Sequence, residues 1–110
     1  MKKSKNILNM IPIKNERILW ETKNGLVTLI ILRNRPFDKF MHKIFKTPLK
    51  TTIELDEIGS FVWNECDGTK TINDIAENLE EKFGKRVQPV LERLLTYIRT
   101  LINNSFIILK

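Results

Sequence analysis

The side chains that could carry chemistry are few and far apart in this chain of 110 residues. With one cysteine, Cys66, and one histidine, His42, it can form neither a disulfide within the chain nor a zinc site of Cys and His ligands. A nucleophilic thiol would need a base beside it, but Cys66 falls on an apolar helical stripe and His42 on a polar face. We therefore expect an inert, buried Cys66, a solvated His42 and no metal.

The carboxylates and glycines also lack an arrangement suited to catalysis or phosphate binding. Four glutamates fall opposite the apolar stripes of predicted helices, where charged side chains are normally solvated: Glu77, Glu80, Glu81 and Glu92. The glycines stand singly, and no GxxxxGK[ST] or GxGxxG loop occurs. These patterns predict a binding module that is not an enzyme and holds no cofactor.

Length and composition predict one globular domain, with 42% hydrophobic and 29% charged residues. The apolar stretch at 29–32 is far shorter than the ~20 residues of a membrane span. Pro12 and Lys14 interrupt the apolar residues near the start before a signal core forms, so we expect a cytoplasmic protein. The net charge of +6 is uneven, with +9 in residues 1–50 and −3 in residues 51–110.

The first half of the chain predicts an N-terminal arm at 1–16, a β-hairpin and a basic amphipathic segment. Residues 17–21 and 26–32 are rich in β-formers and flank Asn24-Gly25, a pair suited to a turn with positive φ. Residues 33–50 then place an apolar stripe at helical spacing against a lysine-rich face. Such a segment either packs on the sheet with its lysines in solvent or attracts an anionic membrane or an acidic partner. The stripe consists of Phe37, Phe40, Met41, Ile44 and Phe45.

The second half predicts a third strand at 50–55, three helices and a short terminal strand at 106–109. Asp56 is placed to cap the first helix, and Thr71 opens the second in a sequence resembling a capping box. Gly84 ends the second helix, and the third begins at Pro89 and runs to about residue 102. Trp63 lies off the stripe of the first helix, where packing under the preceding segment is commoner than exposure.

The third predicted helix has an apolar arc of about 160°, wider than the ~100° stripe of a helix that packs on one core. Either it is the central helix of a small bundle, or it forms the wall of an apolar groove for a ligand. Three helices and a small sheet also fit a winged-helix DNA-binding regulator. For phosphate contacts the helix offers only Arg93 and Arg99, on opposite flanks of its polar side, so this alternative is the weaker one.

The stretch LDEIGSFVWNECDGTKTINDIAENLEEKFG at 55–84, continued by PVLERLLTYIRTLINNSFI at 89–107, resembles the PqqD-like proteins. These are RiPP recognition elements, which bind the leader peptides of ribosomally made precursors. The resemblance covers residues 51–107, and the hairpin fits the family's first two strands, whereas the arm and the segment 33–50 depart from it. The matching positions, in order and spacing, are Leu55, Asp56, Glu57, Gly59, Trp63, Asp67, Gly68, Ile72 and Ile75.

The resemblance implies an α+β, winged-helix-like fold, in which a three-stranded antiparallel sheet precedes a three-helix bundle, as one domain over 17–110. It implies a non-catalytic peptide chaperone, which takes up a leader peptide as an extra strand and presents it to a modifying enzyme such as a radical SAM enzyme. An exposed edge strand also leaves a domain-swapped dimer open. The peptide-binding residues implied are Thr51, Thr52, Ile53, Glu54 and Leu55 on the third strand, with Leu91, Leu94, Leu95 and Ile98 on the third helix.

Overall fold

A three-stranded antiparallel sheet followed by three helices forms the body of the chain in the computed structural model, which describes residues 6–32 and 50–110. The predicted α+β fold is therefore confirmed. A second, two-stranded sheet pairs the first described strand of the chain with the last one. The strands are β1 (Pro12–Lys14), β2 (Leu19–Lys23), β3 (Leu26–Leu32), β4 (Lys50–Glu54) and β5 (Ile107–Leu109), and the helices are α1 (Glu57–Glu65), α2 (Ile72–Phe83) and α3 (Val90–Asn103).

The hairpin between β2 and β3 turns on two residues. Asn24 and Gly25 have φ angles of 55° and 81°, which suits the two-residue turn that joins two twisted strands. Because only these two residues form the turn, Thr22 and Lys23 continue β2 beyond the predicted 17–21. The prediction that the second strand is the more deeply buried one is confirmed, since β2 is exposed throughout.

Local capping signals set the helix ends where the sequence indicates them. The Asp56 carboxylate accepts a hydrogen bond from the Gly59 amide at the start of α1. Thr71 and Asp74 complete a capping box at the start of α2. Gly84 closes α2 with a φ of 58°, and a short 3-10 turn that the sequence did not predict follows over Gly84–Val87. Pro89 is the residue before α3 rather than its first residue.

The core lies between the helices and the inner face of the sheet. Trp63 is fully buried and contacts Trp20 of β2 edge to face, with 6.0 Å between ring centroids. Of the two placements considered for Trp63, the buried one is therefore correct. Cys66 is also fully buried, and burial raises the pKa of its thiol to about 12.

The N-terminal arm packs on the domain through its residues 6–15. Its strand β1 pairs antiparallel with β5, so that Ile13 lies opposite Ile108. On its other side the arm bonds to the connection between α1 and α2, where the Gly68 amide donates to the Pro12 carbonyl over 3.1 Å. The predicted basic segment lies outside the described residues, apart from the backbone of residue 50. No helix in 6–32 or 50–110 is long and apolar enough to cross a membrane.

Candidate functional site

β4 forms one edge of the main sheet, and its outer side pairs with no other described strand. The Leu55 amide donates to the Val27 carbonyl over 2.8 Å, in register with the pairing of Ile53 and Leu29. Alternate residues of an antiparallel strand bond to the same neighbour, so the backbone groups of Ile53 face β3 and those of Thr52 and Glu54 face away. With respect to the described residues, the edge therefore offers unpaired donors and acceptors to a further strand.

Ile53 is the apolar side chain at this open edge. It lies on the same face of the sheet as its cross-strand neighbour Leu29, which is fully buried, yet 37% of Ile53 is exposed. Thr52 and Glu54 point to the opposite, outer face, because side chains alternate along a strand. The inner face of the sheet is thus uncovered at the edge, where an inward-pointing side chain of an added strand would pack.

Tyr97 joins α3 to the end of β4. Its hydroxyl donates to the Asp56 carboxylate, with oxygen distances of 2.9 and 3.1 Å. Partial burial is the larger cause, and this hydrogen bond the second, of a pKa that is raised to about 12 for Tyr97. A Cβ atom on Gly59 would lie 3.1 Å from the Tyr97 ring and 3.5 Å from the Leu55 Cβ atom. The absence of a side chain at Gly59 therefore lets α3 approach the junction of strand and helix.

Ser60 links α1 to the sheet at the same junction. Its buried hydroxyl accepts a hydrogen bond from the Val27 amide over 2.8 Å and donates one to the Leu55 carbonyl over 3.3 Å. These two backbone groups would otherwise bond to each other as the last rung between β3 and β4. A helix side chain therefore completes the sheet beside the open edge.

An open groove of about 480 Å³ follows the flank of α3 that carries Tyr97. The Thr96 and Thr100 hydroxyls donate to carbonyls one turn back in the helix, over 2.9 Å each. The described residues that line the groove all lie on α3 or directly before it, and they include polar, charged and aromatic side chains. Its lining residues are Pro89, Glu92, Arg93, Thr96, Tyr97 and Thr100.

The predicted residues of α3 are divided between the core and the surface. Leu94 and Ile98 are fully buried in the core, so neither lines an open groove in this structure, whereas Leu95 is half-buried and Leu91 is 40% exposed. At ~100° per residue, Leu91 and Leu95 lie on the far flank of the buried stripe from Tyr97. The flank that meets the end of β4 is therefore the one that carries Tyr97.

Tyr97 is the residue that the site prediction missed. The sequence placed it at one end of the apolar arc, and an aromatic side chain with a polar tip at such a boundary is a signal for contact with a polar group. The width of the arc itself has a simple cause, because α3 contacts α1, α2 and β5. This agrees with the interpretation of α3 as a central helix of the bundle.

Among the described residues, the groups considered for catalysis are not assembled into a reactive site, and His42 lies outside the described residues. Cys66 is buried, and the nearest described cation, Lys14, donates over 3.3 Å to its backbone carbonyl. In the part of the chain that the structure describes, no three His, Cys, Asp or Glu side chains are grouped so that they could hold a metal ion. The carboxylates of Glu77, Glu81 and Glu92 are exposed.

A family model described as coenzyme PQQ synthesis protein D (PqqD) matches residues 44–107. This range contains β4, the junction with Asp56 and Gly59, and all three helices. Comparisons with curated proteins and with solved structures give no match. The chain therefore belongs to the PqqD family, as the resemblance indicated, and this family consists of non-catalytic, peptide-binding RiPP recognition elements.

Proposed function

We propose that the chain binds the leader of a ribosomally synthesised precursor peptide as an additional strand on β4. The observation that carries the proposal is the open edge, where the backbone groups of Thr52 and Glu54 face outward beside the half-exposed Ile53. In strand addition, backbone hydrogen bonds supply affinity and alternate side chains supply specificity. Both contributions are available at this edge.

The bound peptide lies along residues 51–55 with every second side chain directed inward. One inward side chain covers Ile53, and the next approaches the junction at Leu55, where Tyr97 forms the opposite wall. The buried Leu94 and Ile98 support α3 from the core side, and the predicted contacts of Leu91 and Leu95 require the peptide to reach the far flank of the helix. A five-residue strand spans about 17 Å at ~3.3 Å per residue.

In this proposal the chain is a peptide chaperone without catalytic activity of its own. Membership of the PqqD family supports a modifying enzyme as the second partner, and we propose a radical SAM enzyme in that role. Precursor peptides are made by ribosomes, so we expect the encounter to take place in the cytoplasm. DNA binding has less support, because Arg93 and Arg99 lie about 120° apart around α3 and leave few phosphate contacts for one surface.

A titration followed by NMR tests the proposal. Where a short precursor gene lies beside the gene for this chain, its leader segment is the probe, added to uniformly ¹⁵N-labelled protein. We expect the largest amide shift changes at 51–55 and along α3, with sedimentation measured on the same samples to separate a monomer from a domain-swapped dimer. Changes confined to β5, with 51–55 unaffected, would contradict strand addition at β4.

A further inference from the structure

We propose that Arg93 binds a carboxylate side chain of the peptide, so that the preferred leader carries Asp or Glu beside the segment that pairs with β4. This inference rests on the proposed function and adds a chemical preference to it. It follows from the hydrogen-bonding state of the side chains that line the groove on α3 and from the position of Arg93 among them.

Among the described residues, Arg93 is the one side-chain donor of the groove that has no partner. The hydroxyls of Thr96 and Thr100 donate to helix carbonyls, and the Tyr97 hydroxyl donates to Asp56. Arg93 forms no ion pair or side-chain hydrogen bond with any residue in 6–32 or 50–110. As far as the described residues go, a ligand in the groove therefore meets one guanidinium group without a partner and three donors that are already engaged.

The position of Arg93 places it on the flank of α3 that meets the end of β4. It lies one helical turn before Tyr97, on the same flank, and Tyr97 contacts the residue two positions beyond β4. Glu92 also lines the groove, but it lies a further ~100° around the helix from Tyr97. A peptide beside β4 would therefore reach the arginine before it reached the glutamate.

The chemistry of arginine selects the class of ligand. The planar guanidinium group presents donors in a fork that matches both oxygens of a carboxylate, and a peptide seated in the groove would shield the pair from water. We therefore expect a leader with one acidic position that is read by contact, within a segment otherwise suited to a β-strand.

The experiment is a selection from an mRNA-display library of random 12-residue peptides against four immobilised full-length proteins. These are the unmodified chain, Arg93→Gln, Arg93→Glu and Arg99→Glu. Arg99 is an exposed arginine of the same helix that does not line the groove, so its replacement by Glu makes the same change in net charge. Circular dichroism of each variant verifies that α3 is intact.

We expect the unmodified chain and Arg99→Glu to enrich peptides with Asp or Glu at one fixed position, and both Arg93 variants to lose that preference. Arg93→Glu should favour Lys or Arg there. For individual selected peptides, replacement of the acid by its amide should weaken binding to the unmodified chain about tenfold, as for loss of a hydrogen bond to a charged group. The same replacement should leave binding to Arg93→Gln unchanged.

Other outcomes overturn the inference in distinguishable ways. If the Arg93 variants keep the acidic preference, or if selected peptides have no fixed acidic position but lose binding with Thr52→Pro, the assignment to Arg93 is wrong and strand addition stands. If Arg99→Glu loses the preference as Arg93→Glu does, the effect is one of net charge alone and the assignment is also wrong. If no protein enriches any peptide, the proposed function fails together with the inference.

Discussion

The two edges of the main sheet are alike in backbone and different in what lies beside them. At the β4 edge the backbone groups of Thr52 face outward. At the β2 edge those of Thr22 face outward, because its neighbours Glu21 and Lys23 are the residues that hydrogen-bond to β3 beside the two-residue turn. In the part of the chain that the structure describes, both strands thus present unpaired donors and acceptors. Backbone alone does not distinguish the edges.

Beside β2, other parts of the chain already contact the inner-face side chain Trp20, although 40% of Trp20 is still exposed. Trp20 packs on the buried Trp63, and the Lys14 ammonium of the N-terminal arm lies 5.4 Å from the centre of the Trp20 ring and 5.5 Å from that of Trp63. Partial burial lowers the pKa of Lys14. At β4 the corresponding position on the inner face holds Ile53, which no described residue covers in this way. In our proposal, the exposed apolar surface of Ile53 is therefore the feature that distinguishes the β4 edge from the β2 edge.

The largest effect is expected from Trp63→Ala, which would remove the side chain that fills the β2 side. Truncation of a buried Trp lowers the free energy of unfolding by about 3 to 5 kcal/mol, and Trp63 is fully buried with no hydrogen bond from its Nε1 atom to lose. Urea unfolding followed by circular dichroism measures it. Trp20→Ala serves as the comparison and should cost less, because Trp20 is 40% exposed. Equal losses would mean that the two rings contribute equally to the core.

The matched pair Thr52→Pro and Thr22→Pro tests the two edges directly. Proline removes one outward N–H in each case and is tolerated on edge strands. Thr52→Pro should weaken peptide binding by about 1 to 3 kcal/mol through one unmet hydrogen bond, whereas Thr22→Pro should leave it unchanged, as measured by calorimetry with a selected peptide. If only Thr22→Pro weakened binding, the peptide would lie on β2, which would contradict our proposal of binding on β4.

Ile53→Thr should have a smaller effect, because it keeps the branched shape of the side chain but reduces its apolar surface. We expect the affinity for peptide to fall by about 1 kcal/mol, because a hydroxyl group replaces the ethyl branch of a side chain that a bound peptide would cover, with little change in the free energy of unfolding. Leu19→Thr, at an apolar residue of β2 that is 50% exposed, is the control and should not alter affinity. An unchanged affinity for Ile53→Thr would show that the peptide does not cover Ile53.

The smallest effect concerns the pH dependence of Tyr97, which is the single tyrosine of the chain. Its pKa is about 12 in the folded protein, above the ordinary value of about 10, so the folded state holds the phenolic proton more tightly. Any stability from this group is thus complete below pH ~10 and is lost as the pH rises from about 10 to about 12. Phenolate absorbance at 295 nm reports the titration, and Tyr97→Phe abolishes it. A midpoint near 10 in the folded protein would contradict the partial burial of Tyr97 together with its hydrogen bond to Asp56.

The sequence predicts the elements well, because their limits depend on neighbouring residues. Asn24-Gly25 indicates the hairpin, and Asp56, Thr71 and Gly84 indicate helix ends, each through a local backbone requirement. The pairing of β1 with β5 depends on residues about 95 positions apart. Neither strand is long enough for its pattern to identify its partner.

The site is predicted in part, for a related reason. The sequence identifies the third strand, but only the register with β3 shows that the N–H of Thr52, and not that of Ile53, faces outward. An apolar arc likewise does not tell which flank of α3 meets β4. The contact between Tyr97 and Asp56 shows which flank it is, and these two residues are 41 positions apart in the chain.

The Ser60 hydroxyl hydrogen-bonds to both β3 and the end of β4, so hydrogen exchange at the Val27 amide reports how tightly α1 is held against the sheet. The Val27 amide is bonded to a side chain of α1, so its exchange with deuterium requires α1 to separate from the sheet, or the sheet to open. A strand added on β4 would slow that exchange without touching Val27. Binding of a strand at the outer edge of β4 would in this way affect α1 through the Ser60 hydroxyl group.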